Sequence, residues 1–138
     1  MRFRSLLVIP AAAALLVAAQ SSTRSTADGV YTAAQATEGR DLWAASCQSC
    51  HGPHQGPPFK NKWMGRDLAQ LFVYTRNEMP KSDPGSLSDE EYAIAIAYLL
   101  RVNGMPAGAA ALPADSAALA RIRFDSVRTV PTSTGPRR

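Results

Sequence analysis

The residues best placed to do chemistry form one short run, Cys47-Gln-Ser-Cys50-His51. The two thiols stand one helical turn apart, a spacing at which they could add to the two vinyl groups along one edge of a haem. The imidazole that follows could then bind the iron. We therefore predict that Cys47 and Cys50 attach a single haem c covalently, and that His51 is a ligand of its iron.

Other chemistries also use a Cys-x-x-Cys pair, but the surrounding sequence favours none of them. A dithiol redox centre is expected in βαβ surroundings, and the chain has no convincing strand pattern. A zinc centre needs a fourth ligand, for which only His54 is nearby, and a structural disulfide would not require His51. We expect His54 to be exposed in a loop, because at three residues from His51 it cannot reach the other face of the haem.

A second iron ligand would have to come from one of three downstream methionines. Met64 directly precedes a predicted helix and suits packing, and Met105 follows the last long helix, too far round the fold. Met79 lies in a predicted loop, where Pro80 fixes the backbone just beyond it. We therefore predict that Met79 is the second ligand of the iron. A thioether ligand raises the reduction potential of a haem, which suits an electron-transfer site.

The sequence around these residues predicts helices and no strand. Capping boxes, in which a side-chain hydroxyl and a Gln or Glu three positions on satisfy each other's backbone, occur at Thr32 with Gln35 and at Ser88 with Glu91. Residues 52–58 hold three prolines and two glycines, which predict a loop. We expect an all-α domain with three to four helices, over about 33–46, 66–76, 88–103 and 115–124.

The N-terminal end has the composition of an export signal. Arg2 and Arg4 precede an apolar run from Leu6 to Ala19, which is short of the roughly 20 residues of a membrane span. We expect a signal peptide over 1–19, cleaved after Ala19, and a periplasmic protein without stable membrane insertion. A retained leader would instead anchor the protein to the membrane.

Composition narrows the class of protein further. A chain of 138 residues with two cysteines and a formal charge of +4 is too short for a multidomain enzyme and too poor in cysteine for a disulfide scaffold. The cationic residues form no helical stripe and no nucleic-acid-binding motif is present, so we expect no nucleic-acid partner. We expect a flexible lead-in over 20–30, a haem domain over 31–108, and a C-terminal extension over 109–138 that forms a short helix and then a disordered basic tail.

With these motifs in place, the chain resembles class I c-type cytochromes over residues 31–108. The resemblance implies the cytochrome c fold around one covalently bound haem, with the first and last helices crossing at Gly39 and with Trp43 and Tyr98 packed beside the crossing. It rests on Gly39, Trp43, the run from Cys47 to Gly52, Gly56-Pro57-Pro58-Phe59, Met79-Pro80 and Ala97-Tyr98-Leu99.

The same resemblance implies roles for several further residues. The carbonyl of Pro57 would accept a hydrogen bond from His51 and raise the basicity of its ring, and Phe59 and Leu99 would line the haem. Trp63 is expected either to donate to a haem propionate or to pack in the core.

Two further assignments are less direct. Arg66 is a second candidate for a propionate contact, and Tyr74 is the candidate partner for the sulfur of Met79.

Residues 60–108 are also similar to cytochrome domains of quinoprotein alcohol dehydrogenases and to cytochrome subunits of sulfite- and thiosulfate-oxidising systems. This implies a one-electron carrier rather than an enzyme, with a periplasmic dehydrogenase as donor and an oxidase or another cytochrome as acceptor. Two alternatives remain open. One is a haem-containing subunit of a larger dehydrogenase or membrane complex. The other is an open-site haem enzyme or gas sensor, which would require that Met79 does not bind.

Overall fold

The computed structural model describes residues 23–52 and 56–125. The leader with its cleavage site, His54 and the tail beyond residue 125 lie outside the described residues. Helices dominate the described part of the chain, as the all-α prediction requires. They are α1 (Ala33–Ser46), α2 (Pro57–Trp63), α3 (Leu68–Glu78), α4 (Asp89–Val102) and α5 (Ser116–Leu119), with a short 3-10 helix over Thr26–Asp28 and two-residue strands β1 (Arg24–Ser25) and β2 (Ile122–Arg123).

Helices α1 and α4 form the frame of the domain, and they cross at Gly39. A Cβ atom placed on Gly39 would lie 1.9 Å from the carbonyl oxygen of Ile94 and 3.0 Å from Cβ of Tyr98. Only a residue without a side chain permits this approach. Trp43 and Tyr98 pack beside the crossing, with ring centroids 5.9 Å apart, as the resemblance implies.

Both predicted capping boxes are formed, and they fix the starts of the two framing helices. The hydroxyl of Thr32 accepts from the backbone N–H of Gln35, and the Gln35 side chain accepts from the N–H of Thr32. Ser88 and Glu91 make the same reciprocal pair. These motifs satisfy backbone donors that a helix start leaves unpaired, so α1 and α4 begin where the sequence predicts.

The two helices between the framing pair differ from the prediction. Residues 52–58 were expected to be loop throughout, but α2 already begins at Pro57, with prolines at its first two positions. A proline there loses no hydrogen bond, since the first N–H groups of a helix have no partner within it. Helix α3 begins and ends two residues later than expected, because the Asp67 side chain caps it by accepting from the N–H of Gln70.

The largest differences concern the two ends of the described chain. The lead-in was expected to be flexible and 115–124 to be helical, but β1 pairs in parallel with β2 and α5 ends at Leu119. Thr26 is fully buried, and its hydroxyl donates to the carbonyl of Asp125 at 2.8 Å and accepts from its N–H at 2.9 Å. Partners about a hundred residues apart fix this arrangement, so local pattern does not predict it.

The described part of the C-terminal extension contributes to the same core as the helices. Leu112, Leu119, Ile122 and Phe124 are each at most 2% exposed and pack in one cluster with residues of α1, α3 and α4. Among the described residues, no helix is both long enough and apolar enough to cross a membrane.

Candidate functional site

A cavity of about 450 Å³ brings the Cys-x-x-Cys-His run together with Met79. Its volume lies within the usual range for ligand and cofactor pockets, about 300–1,000 Å³. Cys47, Cys50, His51 and Met79 all line it, although Met79 is far from the others in sequence. The remaining walls are mostly apolar side chains of α1, α2, α3 and α4, so the four residues with chemical potential face one shared, largely apolar space.

The Cys-x-x-Cys-His run reaches the cavity by continuing the last turn of α1. The N–H of Cys47 donates to the carbonyl of Trp43 at 2.9 Å, and the N–H groups of Cys50 and His51 both donate to the carbonyl of Cys47, at 3.2 and 2.9 Å. From this turn, Cys47, Cys50 and His51 all line the cavity. The ring centroids of Trp43 and His51 lie 6.3 Å apart.

The two thiols are free and differ in their surroundings. Cys47 is half-buried, and burial raises the pKa of its thiol, while Cys50 is exposed. Both sulfurs are thus available for a covalent link at the cavity. No group of three or more His, Cys, Asp or Glu side chains within the described residues is arranged to hold a metal ion.

Met79 is held at the cavity by hydrogen bonds at both of its backbone polar groups. It caps the C-terminal end of α3, where its N–H donates to the carbonyl of Thr75 at 2.9 Å. Its carbonyl accepts from the hydroxyl of Tyr92 at 2.7 Å. By contrast, Met64 is 39% exposed and Met105 is 3% exposed, and neither lines the cavity.

Tyr92 was not identified from the sequence as a site residue. The sequence around it predicts only the start of a helix, through the capping box at Ser88. The ring of Tyr92 packs edge-on to Phe72, with centroids 6.3 Å apart. The hydrogen bond from its hydroxyl to Met79 depends on how closely α3 and α4 approach each other, which no local sequence motif indicates.

Of the residues expected to line a haem, Phe59, Trp63 and Leu99 all line the cavity. Phe59 packs edge-on against Phe124, with centroids 5.8 Å apart. Pro57, by contrast, is exposed at the start of α2, and the neighbouring Pro58 lines the cavity in its place. The proposed hydrogen bond from His51 to the Pro57 carbonyl stays a prediction.

Trp63 stands between the cavity and the surface. It is 6% exposed and packs edge-on against Tyr74, with ring centroids 5.4 Å apart. Tyr74 also lines the cavity, but it is 40% exposed and its ring lies 3.7 Å from the amine of Lys62. Arg66 does not line the cavity; its guanidinium lies 6.0 Å from the Trp63 ring and donates to Gln70.

Lys62 and Lys81 place positive charge along the cavity lining. The amine of Lys81 lies 2.9 Å from the carboxylate of Glu78. This hydrogen-bonded pair lowers the pKa of Glu78 and raises that of Lys81. Both side chains are solvent-exposed, so the pair contributes little to stability.

Asn103 is a second residue whose importance the sequence did not indicate. It is 4% exposed, and its side-chain amide donates to the carbonyl of Leu99 at 2.8 Å. Its side-chain oxygen accepts from the N–H of Gly56 at 3.1 Å. Since Gly56 caps the start of α2, Asn103 ties the end of α4 to the helix that carries Phe59 and Trp63.

These residues together fit a covalently bound haem. Two free thiols, an imidazole and a thioether are the groups that attach haem c and bind its iron. They surround a cavity whose walls are apolar and aromatic and whose lining carries lysines. A plain apolar pocket would not need this donor set, and a dithiol centre would not need the cavity.

The comparison with protein families agrees with the site. Residues 34–99 match the family model described as cytochrome c oxidase, cbb3-type, subunit III. The matched segment includes Cys47, Cys50, His51 and Met79, and extends through Leu99. No curated protein and no solved structure matches the chain significantly.

Proposed function

We propose, from the class I c-type cytochrome domain that residues 34–99 match, that the chain is a periplasmic one-electron carrier in which Cys47 and Cys50 would hold haem c covalently and His51 and Met79 would both bind its iron. One observation supports the proposal most strongly. Met79 alone among Met64, Met79 and Met105 lines the cavity that the Cys-x-x-Cys-His run also lines.

Each residue of the site has a distinct task in this proposal. When bound, haem c supplies an iron that gains and loses one electron. Cys47 and Cys50 hold it covalently, so the site keeps its cofactor even in a small domain. His51 follows directly on Cys50 and is therefore fixed by the same turn, while Met79 is fixed independently by the end of α3.

The walls of the cavity keep water away and keep the ligands in place. Phe59, Trp63 and Leu99 present apolar surface to the cavity, and burial of this kind, with ligand identity and hydrogen bonding, sets the reduction potential. A rigid, apolar wall also limits rearrangement when the charge on the site changes. If His51 and Met79 both bound the iron, small molecules would have no open position at which to bind, which favours electron transfer over catalysis.

Partners and location are proposed on separate grounds. The basic, then apolar, N-terminal sequence supports export to the periplasm, and the resemblance of residues 60–108 supports a periplasmic dehydrogenase as donor and an oxidase or another cytochrome as acceptor.

A second candidate function is that of a haem-bearing subunit of a larger complex. It is favoured by the match to a family described as an oxidase subunit.

Carbon monoxide binding to the reduced holoprotein tests the proposal against an open-site haem enzyme or sensor. If His51 and Met79 both bind iron, reduced wild-type protein takes up carbon monoxide slowly and incompletely at concentrations that saturate an open haem. Rapid stoichiometric binding would show that one axial position is free and would contradict the carrier. The Met79→Ala variant is the positive control, because it opens that position deliberately.

A further inference from the structure

We propose that Tyr92 is a positioning residue for the site, whose hydroxyl holds Met79 at the cavity by binding the Met79 backbone. The phenolic oxygen lies 2.7 Å from the carbonyl oxygen of Met79, and 3.4 Å from that of Arg76. A tyrosine hydroxyl has one proton to donate, so the shorter bond, to Met79, receives it. The inference rests on the proposed function, because it takes Met79 as an iron ligand.

The hydroxyl can act on Met79 because the position of Tyr92 is itself fixed. Its side chain is 0% exposed, and its ring lies edge-on to Phe72 of α3 at 6.3 Å. Its backbone N–H donates to the carbonyl of Ser88 at 3.0 Å, within the turn closed by the Ser88–Glu91 capping box. The position of Tyr92 is therefore fixed by contacts with α4 and α3 that do not involve its hydroxyl.

Met79, in contrast, sits where α3 has ended. Beyond its N–H bond to Thr75, the helix offers Met79 no further backbone partner, and residues 80–88 form turns and bends without a helix or strand. The ion pair between Arg76 and Asp89 spans the same gap at 3.3 Å, but both side chains are about half exposed and such pairs contribute little. Among the described residues, the Tyr92 hydroxyl thus provides a hydrogen bond from a buried side chain of α4 to this turn.

The consequence is a control on how readily Met79 leaves the iron. Without the hydroxyl, the carbonyl of Met79 has lost its partner and the loop can move away from the cavity at lower cost. A lost hydrogen bond of this type changes such an equilibrium by about fivefold to tenfold. The effect falls on the availability of an open axial position, rather than on attachment of the haem.

The matched test compares Tyr92→Phe with Tyr31→Phe in the haem-loaded protein. Tyr31 is 1% exposed, and its hydroxyl donates to the carbonyl of Met105 at 2.7 Å, so it makes the same kind of buried bond away from the cavity. Each variant is assayed for the rate of carbon monoxide binding after reduction, for the sulfur-to-iron near-infrared band after oxidation, and for stability in urea. Met79→Ala is measured alongside.

We expect Tyr92→Phe to bind carbon monoxide about fivefold to tenfold faster than wild type and to show a weaker near-infrared band. Tyr31→Phe should keep the wild-type rate and band while losing stability, and Met79→Ala should bind fastest. Wild-type behaviour in Tyr92→Phe together with fast binding in Met79→Ala would overturn the positioning role alone. Equal acceleration in Tyr31→Phe and Tyr92→Phe would reduce the role to general packing. Slow binding in Met79→Ala would remove the ligand assignment on which the inference rests.

Discussion

The side-chain oxygen of Asn103 accepts a hydrogen bond from the backbone N–H of Gly56 at 3.1 Å, across 47 positions of sequence. The same side chain donates to the carbonyl of Leu99. One buried amide therefore fixes the start of α2 relative to the end of α4, and with it the walls that Phe59 and Trp63 give to the cavity.

Replacing Asn103 with alanine should therefore destabilise the protein by about 1–3 kcal/mol, the usual cost of leaving buried polar groups without a partner. The free energy of unfolding in urea measures it. Asn77→Ala is the matched control, because Asn77 lies exposed on α3, where alanine is a better helix former. Equal stability of Asn103→Ala and wild type would show that the amide is not a structural connection.

Gly39 gives a second prediction, on the crossing of α1 and α4. A methyl group there would overlap the backbone carbonyl of Ile94 at 1.9 Å, and a backbone atom of a packed helix cannot move aside as a flexible side chain does. We expect Gly39→Ala to lower the free energy of unfolding by about 1–3 kcal/mol or more, despite the better helix propensity of alanine. The exposed neighbour Glu38 serves as the control, since Glu38→Ala should change stability by less than about 0.5 kcal/mol.

The pH dependence of stability should report on Tyr31. Burial raises the pKa of its hydroxyl above 10.0, with Arg101 acting in the opposite direction. The unfolded chain thus loses this proton at a lower pH than the folded protein does. The contribution of protonated Tyr31 to the free energy of unfolding is fully present below about pH 10, and it is lost as the pH rises through the pKa of Tyr31 in the folded protein. Urea titrations of wild type and Tyr31→Phe at a series of alkaline pH values should show a steeper loss in wild type; parallel curves would contradict the assignment.

Attachment of the haem through two thiols predicts different outcomes for the single variants and the double variant. Cys47→Ala and Cys50→Ala should each retain one covalent link, so that haem stays with the chain on a denaturing gel. The double variant should lose it there. Haem retained by the double variant under denaturing conditions would contradict attachment through this pair, and Ser49→Ala, between the two, is the control that should behave as wild type.

The parts of the fold that follow from local chemistry were predictable. The N-caps of α1 at Thr32 and of α4 at Ser88 follow from capping boxes whose partners lie three residues apart, and the haem motif is equally local. The start of α2 at Pro57 was missed because proline was taken only as a helix breaker, although it is accepted in a first turn.

What was missed elsewhere depends on contacts between distant segments. The pairing of β1 with β2 joins residues about a hundred positions apart, and neither strand is long enough to show an alternating pattern. The roles of Tyr92 and Asn103 could not be predicted for the same reason. A buried tyrosine indicates only packing and an asparagine at a helix end only capping, because their partners Met79 and Gly56 are distant in sequence.

Ligation of the iron by Met79 is measured most directly by the near-infrared sulfur-to-iron band of the oxidised holoprotein. We predict that the band is present in wild type, persists in Met64→Leu and Met105→Leu, and is abolished in Met79→Ala. Met64 and Met105 are suitable controls because neither lines the cavity, and leucine approximates methionine in volume. A band that survives in Met79→Ala would contradict the proposed ligand set, since Met79 would then not be the second ligand of the iron.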